Sequence, residues 1–126
     1  MNRQELISRI RALNFPTEDY WVVAGGAMVL HGIRAQTHDI DLGCTKQLGD
    51  RLEAAGYLTD HLSDGSRRFE IDGDIEIYDE WRFDVVENIE GIPVISIEDL
   101  IRMKKALGRE KDQRDLARIE EFLKNR

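Results

Sequence analysis

The chain has one cysteine, Cys44, in 126 residues. That excludes an internal disulfide framework and a zinc centre built from cysteines. It has no long hydrophobic run. The longest apolar stretch falls far short of the roughly 18–20 residues that a membrane span needs, which excludes a transmembrane helix. It has no surplus of base: Lys plus Arg is 18, Asp plus Glu is 25, and the net charge is −7. A general nucleic-acid binder would carry the opposite sign, because phosphate contacts dominate such affinity. There is no repeat, low-complexity stretch or linker. Met1-Asn2-Arg3-Gln4-Glu5 leads into an amphipathic pattern rather than a signal peptide. These absences predict a soluble protein in a reducing, cytoplasmic setting.

With 41% hydrophobic and 34% charged residues, the balance is globular rather than disordered. The length predicts a single domain over 1–126. Charge is unevenly spread. Glu70 to Asp99 holds eleven acids and one base, Arg82, whereas Leu100 to Arg126 holds nine bases and five acids. An acidic middle and a basic tail can fold into two solvated faces, or into a site where metal and phosphate meet.

Apolar spacing predicts a helix over 3–13, opened by an Asn2–Glu5 capping box. Tyr20 to Ala24 reads as a buried strand. Gly25-Gly26 follows, then a short helix from Ala27 to Leu30. Asp39 to Leu42 reads as a half-buried strand. Residues 46–55 read as a helix with Gly56 as its stop. Residues 67–79 alternate on both sides of Asp72-Gly73, predicting a hairpin with a two-residue turn. Phe69, Ile71, Ile75 and Ile77 would face the core, and Glu70 and Glu76 the other way. Val85-Val86 and Ile92–Ile95 suggest further strands. Ser96 with Asp99 caps a helix that ends at Gly108, and a last helix runs from about Lys111. The order predicts an α/β or α+β fold, a short mixed sheet flanked by helices.

Asp39-Ile40-Asp41 sets two carboxylates two residues apart on a strand, on one side and able to converge on a hard cation. Read alone, this also suits a solvated strand face. Gly25-Gly26 suits close approach of a phosphate to a helix start, or a tight turn with no ligand. His31, His38 and His61 lack metal-ligand spacing. Cys44 reads as a small buried apolar residue. Trp21 reads as core, and Trp81 as core or a base-stacking platform.

Together, Ala24-Gly25-Gly26, twelve residues and Asp39-Ile40-Asp41-Leu42 resemble the signature of the DNA polymerase β-like nucleotidyltransferase superfamily. The fuller strings, Gly25 to Arg34 and Thr37 to Leu42, resemble its branch of abortive-infection (AbiEii-type) toxins and are similar to lincosamide nucleotidyltransferases. Asp99-Leu100, Lys104, Arg109, Lys111-Asp112 and Asp115-Leu116 match a Lys…Arg-x-Lys-Asp-x-x-Asp pattern common in that branch. The resemblance spans about residues 20–120.

The resemblance implies a Mg²⁺-dependent transfer of a nucleoside monophosphate from an NTP to an acceptor hydroxyl, with pyrophosphate released and two Mg²⁺ ions expected. Asp39 and Asp41 match the family's metal-binding acids. Glu76 is the candidate third acid, with Glu70 and Asp79 as alternatives. Gly25 and Gly26 match the phosphate loop. Arg34, Thr37, Lys104 and Arg109, with Lys111, would contact the nucleotide. Asp112 and Asp115 would cap or pair with these bases rather than bind a ligand. The acceptor is open: a small molecule, an RNA end or a protein hydroxyl, bound with the help of loops, a homodimer partner or another protein. A role in a toxin–antitoxin or defence pair is one reading. A catalytically silent nucleotide- or protein-binding domain is the alternative.

Overall fold

A computed structural model describes residues 1–79 and 86–126. Its elements run α1 (Arg3–Leu13), β1 (Tyr20–Val23), α2 (Ala24–Leu30), β2 (Ile40–Cys44), α3 (Lys46–Ala54), β3 (Leu58–His61), β4 (Arg67–Ile71), β5 (Ile75–Asp79), β6 (Val86–Ile89), β7 (Ile92–Ile95), α4 (Ile97–Leu107) and α5 (Glu110–Lys124). The strands form a mixed sheet of order β3-β4-β5-β2-β1-β7-β6. β2–β5 and β1–β7 are parallel and the other neighbours antiparallel. No helix among the described residues is long and apolar enough to cross a membrane. Trp81 and Val85 lie outside the described residues, so the platform and the first residue of the Val85-Val86 strand are not placed.

The sheet divides charge from core by alternation. Across β1, β2, β5 and β4, Val22, Leu42, Ile77 and Phe69 form one fully buried row. Their neighbours Asp41, Glu76 and Glu70 therefore project from the opposite face. Helices cover the apolar face: α2 contacts β1, β2 and β7, and α3 contacts β4 and β5. Burial of that row at roughly 25 cal/mol per Å² of apolar surface fixes the register that presents the acids.

Local chemistry sets the helix ends. Asn2 and Glu5 form the reciprocal capping box. Thr45 and Ser96 accept from the backbone of Leu48 and Asp99. Gly108 closes α4 in the left-handed conformation, φ 61°.

Two expectations need correction, and one strand is added. The hairpin turn has three residues, not two, because Ile71 pairs with Ile75 across Asp72-Gly73-Asp74. Asp72 and Gly73 both take positive φ, 56° and 78°, and Arg9 binds the Asp74 carboxylate, so Asp74 serves the turn rather than the strand. The second helix starts at Ala24, three residues early, and takes both glycines into its first turn. A further strand, β3, occupies Leu58–His61, where the sequence pattern predicts no element.

Candidate active site

β2 and β5 lie side by side in parallel, and their register sets Asp41 against Glu76. Asp39 sits in the exposed loop one residue before β2. All three line one cavity of about 580 Å³. Asp41 is half-buried, and its carboxyl is pushed up to about 6. Burial is the main cause, followed by the charges of Glu76 and Asp39, while Lys111 and Lys104 partly offset them. Glu76 is held on both oxygens. Arg68 donates to Oε1 at 3.1 Å, and the Tyr78 hydroxyl donates to Oε2 at 2.6 Å. Burial and the Glu76 hydrogen bond push the Tyr78 phenol well above its ordinary range.

The same cavity is lined by six cations against two acids in its α4–α5 and Arg34 part: Arg34, Lys104, Arg109, Lys111, Arg114 and Arg118 with Asp112 and Asp115. Lys104 is buried on α4 and donates to Asp115 at 2.9 Å, with Asp112 at 3.8 Å. Arg34 donates to the other Asp115 oxygen at 2.6 Å. Arg109 binds Asp112 through its side chain at 2.7 Å and its backbone N–H at 3.1 Å. That side-chain hydrogen bond holds the Asp112 carboxyl below its usual range. The carboxylates thus orient three cations. Lys111 and Arg118 have no ion pair among the described residues.

The two glycines separate. Gly25 lines the cavity. A Cβ there would sit 2.7 Å from Thr37 Oγ1 and 3.1 Å from Arg34 Nη1. Its bareness lets both side chains reach the helix start. Gly26 is buried, and its Cβ would meet Val22 Cγ1 at 3.0 Å. It packs on the core and is not among the residues that line the cavity. Ala24, also on the cavity, holds φ 55°. Left-handed backbone at alanine costs about 1 kcal/mol or more, a local strain kept beside the acids. Thr37 donates to the Asp39 carbonyl at 3.2 Å, tying that loop to the first acid.

No family model matches this chain, and no curated protein does. Among solved structures, it aligns with a Thermotoga maritima protein provisionally named a nucleotidyltransferase, at TM-score 0.62 and 19% identity. The alignment covers 100% of this chain and 97% of that one. The fold is nucleotidyltransferase-like. JHP933 of Helicobacter pylori aligns more weakly, at TM-score 0.46 and 20% identity over 81% of this chain and 54% of that one.

Within this nucleotidyltransferase-like fold, Asp39, Asp41, Glu76, Gly25, Arg34, Thr37, Lys104 and Arg109 share one cavity. The alternative third acids do not line it. Asp79 is buried among the helix-side residues and binds Arg67 at 2.6 Å. Glu70 stands beside Glu76 on the neighbouring strand. Oxygen donors from three side chains lining one cavity suit a hard dication, and the crowding that raises Asp41 is what a dication relieves. As they stand, no three carboxylate, histidine or cysteine groups among the described residues form a closed metal cluster.

Sequence reasoning missed Tyr78, Arg114 and Arg118 on the cavity. Each had a signal. Tyr78 follows Glu76 by two along a strand, so it shares its face. Lys111, Arg114 and Arg118 recur at helical spacing.

Proposed function

We propose that this protein transfers a nucleoside monophosphate from an NTP to a hydroxyl of an acceptor. The observation that carries the reading is the single cavity joining Asp39, Asp41 and Glu76, at the start of β2 and on β5, to a cluster of cations of which Arg34, Lys104 and Arg109 are oriented by Asp112 and Asp115 of α5. The fold likeness supports it.

Asp39, Asp41 and Glu76 would hold Mg²⁺, which supplies charge neutralisation at the reacting phosphate. Arg34, Lys104, Arg109 and Lys111 would bind the phosphate oxygens. Three of these cations are already fixed by Asp112 and Asp115, so little reorganisation is needed when charge develops. The acceptor oxygen forms a bond to the α-phosphorus as the bond to the β-phosphate oxygen breaks, and pyrophosphate leaves. The hydroxyl proton passes to a carboxylate of the set. Positioning and electrostatics carry the rate. The acceptor is a small molecule, an RNA end or a protein hydroxyl, and a toxin–antitoxin or defence pairing is one setting for such transfer.

A second reading is binding without turnover. The observation favouring it is Glu76, whose two oxygens are already engaged by Arg68 and Tyr78.

Thermal melting with each of the four NTPs, with and without Mg²⁺, tests the reading. Saturation at about a hundred times the Kd adds about 2.7 kcal/mol, or about 10 °C for a chain of this length. A Mg²⁺-dependent shift lost in Asp41→Ala supports the site. No shift with any NTP removes it. A shift without pyrophosphate release across hydroxyl acceptors favours the second reading.

A further inference from the structure

Arg68 and Glu70 on β4, and Glu76 and Tyr78 on β5, form a square on the sheet face turned away from the covering helices. Arg68 pairs in register with Tyr78, and Glu70 with Glu76. Arg68 crosses the diagonal to Glu76 Oε1 at 3.1 Å, while Glu70 lies 3.9 Å from the same guanidinium nitrogen. Tyr78 takes Glu76 Oε2 at 2.6 Å. Both oxygens of the candidate third acid are therefore occupied by this chain's own donors.

We propose that Arg68 is a competitor for Glu76: it holds that carboxylate away from Asp39 and Asp41, releases it to an arriving divalent cation, and so sets the cation concentration at which the site assembles. The proposal rests on reading Asp39, Asp41 and Glu76 as a metal-holding set. Two features make the exchange soft. The Arg68 and Glu76 side chains are 24% and 37% exposed, so their attachment has the strength of a solvent-screened pair. Glu70 also gives Arg68 a second carboxylate to turn to, so releasing Glu76 leaves no stranded guanidinium. The adjacent residue provides the contrast. Arg67, 11% exposed, binds the 4%-exposed Asp79 at 2.6 Å. One arginine of the hairpin is locked and the next can let go. Arg68 touches no reacting atom in this scheme and is a positioning residue.

Calorimetric titration with Mn²⁺ alone, without nucleotide, reads the effect directly. Arg68→Met keeps the aliphatic stem and removes the competing charge. It should lower the Kd for Mn²⁺ by up to about fivefold, the size of a part-exposed ion pair. Tyr78→Phe removes a competing hydrogen bond without changing charge, and it should lower the Kd in the same direction. In a Glu76→Gln background the gain from Arg68→Met should vanish. A Kd unchanged or raised by Arg68→Met overturns the proposal. So does a gain that persists with Glu76→Gln, because a general charge effect then explains it. If wild type binds Mn²⁺ and Asp41→Ala does not, yet Arg68→Met changes nothing, only this proposal falls. If wild type shows no Asp41-dependent binding, the metal reading of the site falls with it.

Discussion

Replacing Asp41 with asparagine should stabilise the folded protein at neutral pH. The Asp41 carboxyl, ordinarily near 3.8, is pushed up to about 6 in the folded chain. That rise, about two pH units at about 1.4 kcal/mol each, amounts to about 2–3 kcal/mol of penalty on the ionised form. The sign follows from proton counting. Between about pH 4 and pH 6 the folded chain keeps the Asp41 proton more often than the unfolded chain does. Wild-type stability therefore loses this contribution as pH rises through that window, and the full penalty stands at pH 7. Asparagine has nearly the same shape and no charge to desolvate. The variant should match wild type near pH 4 and exceed it by about 2–3 kcal/mol at pH 7, about 10 °C in Tm for a chain of this length. Melting curves at pH 4.5, 5.5, 6.5 and 7.5 would show the gap opening. Adding Mg²⁺ at pH 7 should narrow it by raising wild type alone. A variant less stable than wild type at pH 7, or a gap independent of pH, would refute this account of the site's electrostatics.

The adjacent glycines should part in their effects. Gly26→Ala crowds Val22 at 3.0 Å; overpacking less the helix gain leaves a loss of about 1 kcal/mol, with the NTP-dependent Tm shift intact. Gly25→Ala crowds Thr37 and Arg34 instead, so melting should show near-wild-type stability and a much smaller nucleotide shift; the reverse pattern would contradict the placement. Lys104→Met leaves Asp115 bonded to Arg34 and Asp112 bonded to Arg109. Urea unfolding should show a loss of about 1–2 kcal/mol, below the 3–5 typical of an orphaned buried charge, and nucleotide binding should weaken. Gly43→Ala would set its Cβ 2.1 Å from Trp21 Nε1; a loss of about 3 kcal/mol or more is expected, and a urea midpoint near wild type would count against that packing.

Elements with a local cause were readable from sequence. The capping box at Asn2–Glu5, the cap at Ser96 and the alternation through Phe69 to Ile77 each depend on residues within a few positions. β3 was not readable. Leu58-Thr59-Asp60-His61 sits at the sheet edge with Thr59, Asp60 and His61 exposed, so it carries no apolar alternation. Asp-Gly does not fix the turn length, because it also suits a three-residue turn in which both residues take positive φ. Asp39 and Asp41 announce themselves by spacing. The links Arg34–Asp115 and Arg68–Glu76 span 81 and 8 residues and depend on how elements meet. Nothing in the local sequence separates Gly25 from Gly26 either; only the packing of α2 on β1 does.

The parallel pairing of β2 with β5 has a consequence for quality control. Side chains alternate along both strands, so a slip of one residue would drive Glu76 into the apolar layer and turn both Ile75 and Ile77 outward. The misregistered chain would have to bury a carboxylate, so it should fail to fold rather than fold with a faulty cavity. On the proposed metal-holding role of Asp39, Asp41 and Glu76, a titration with a divalent cation would then count natively folded molecules.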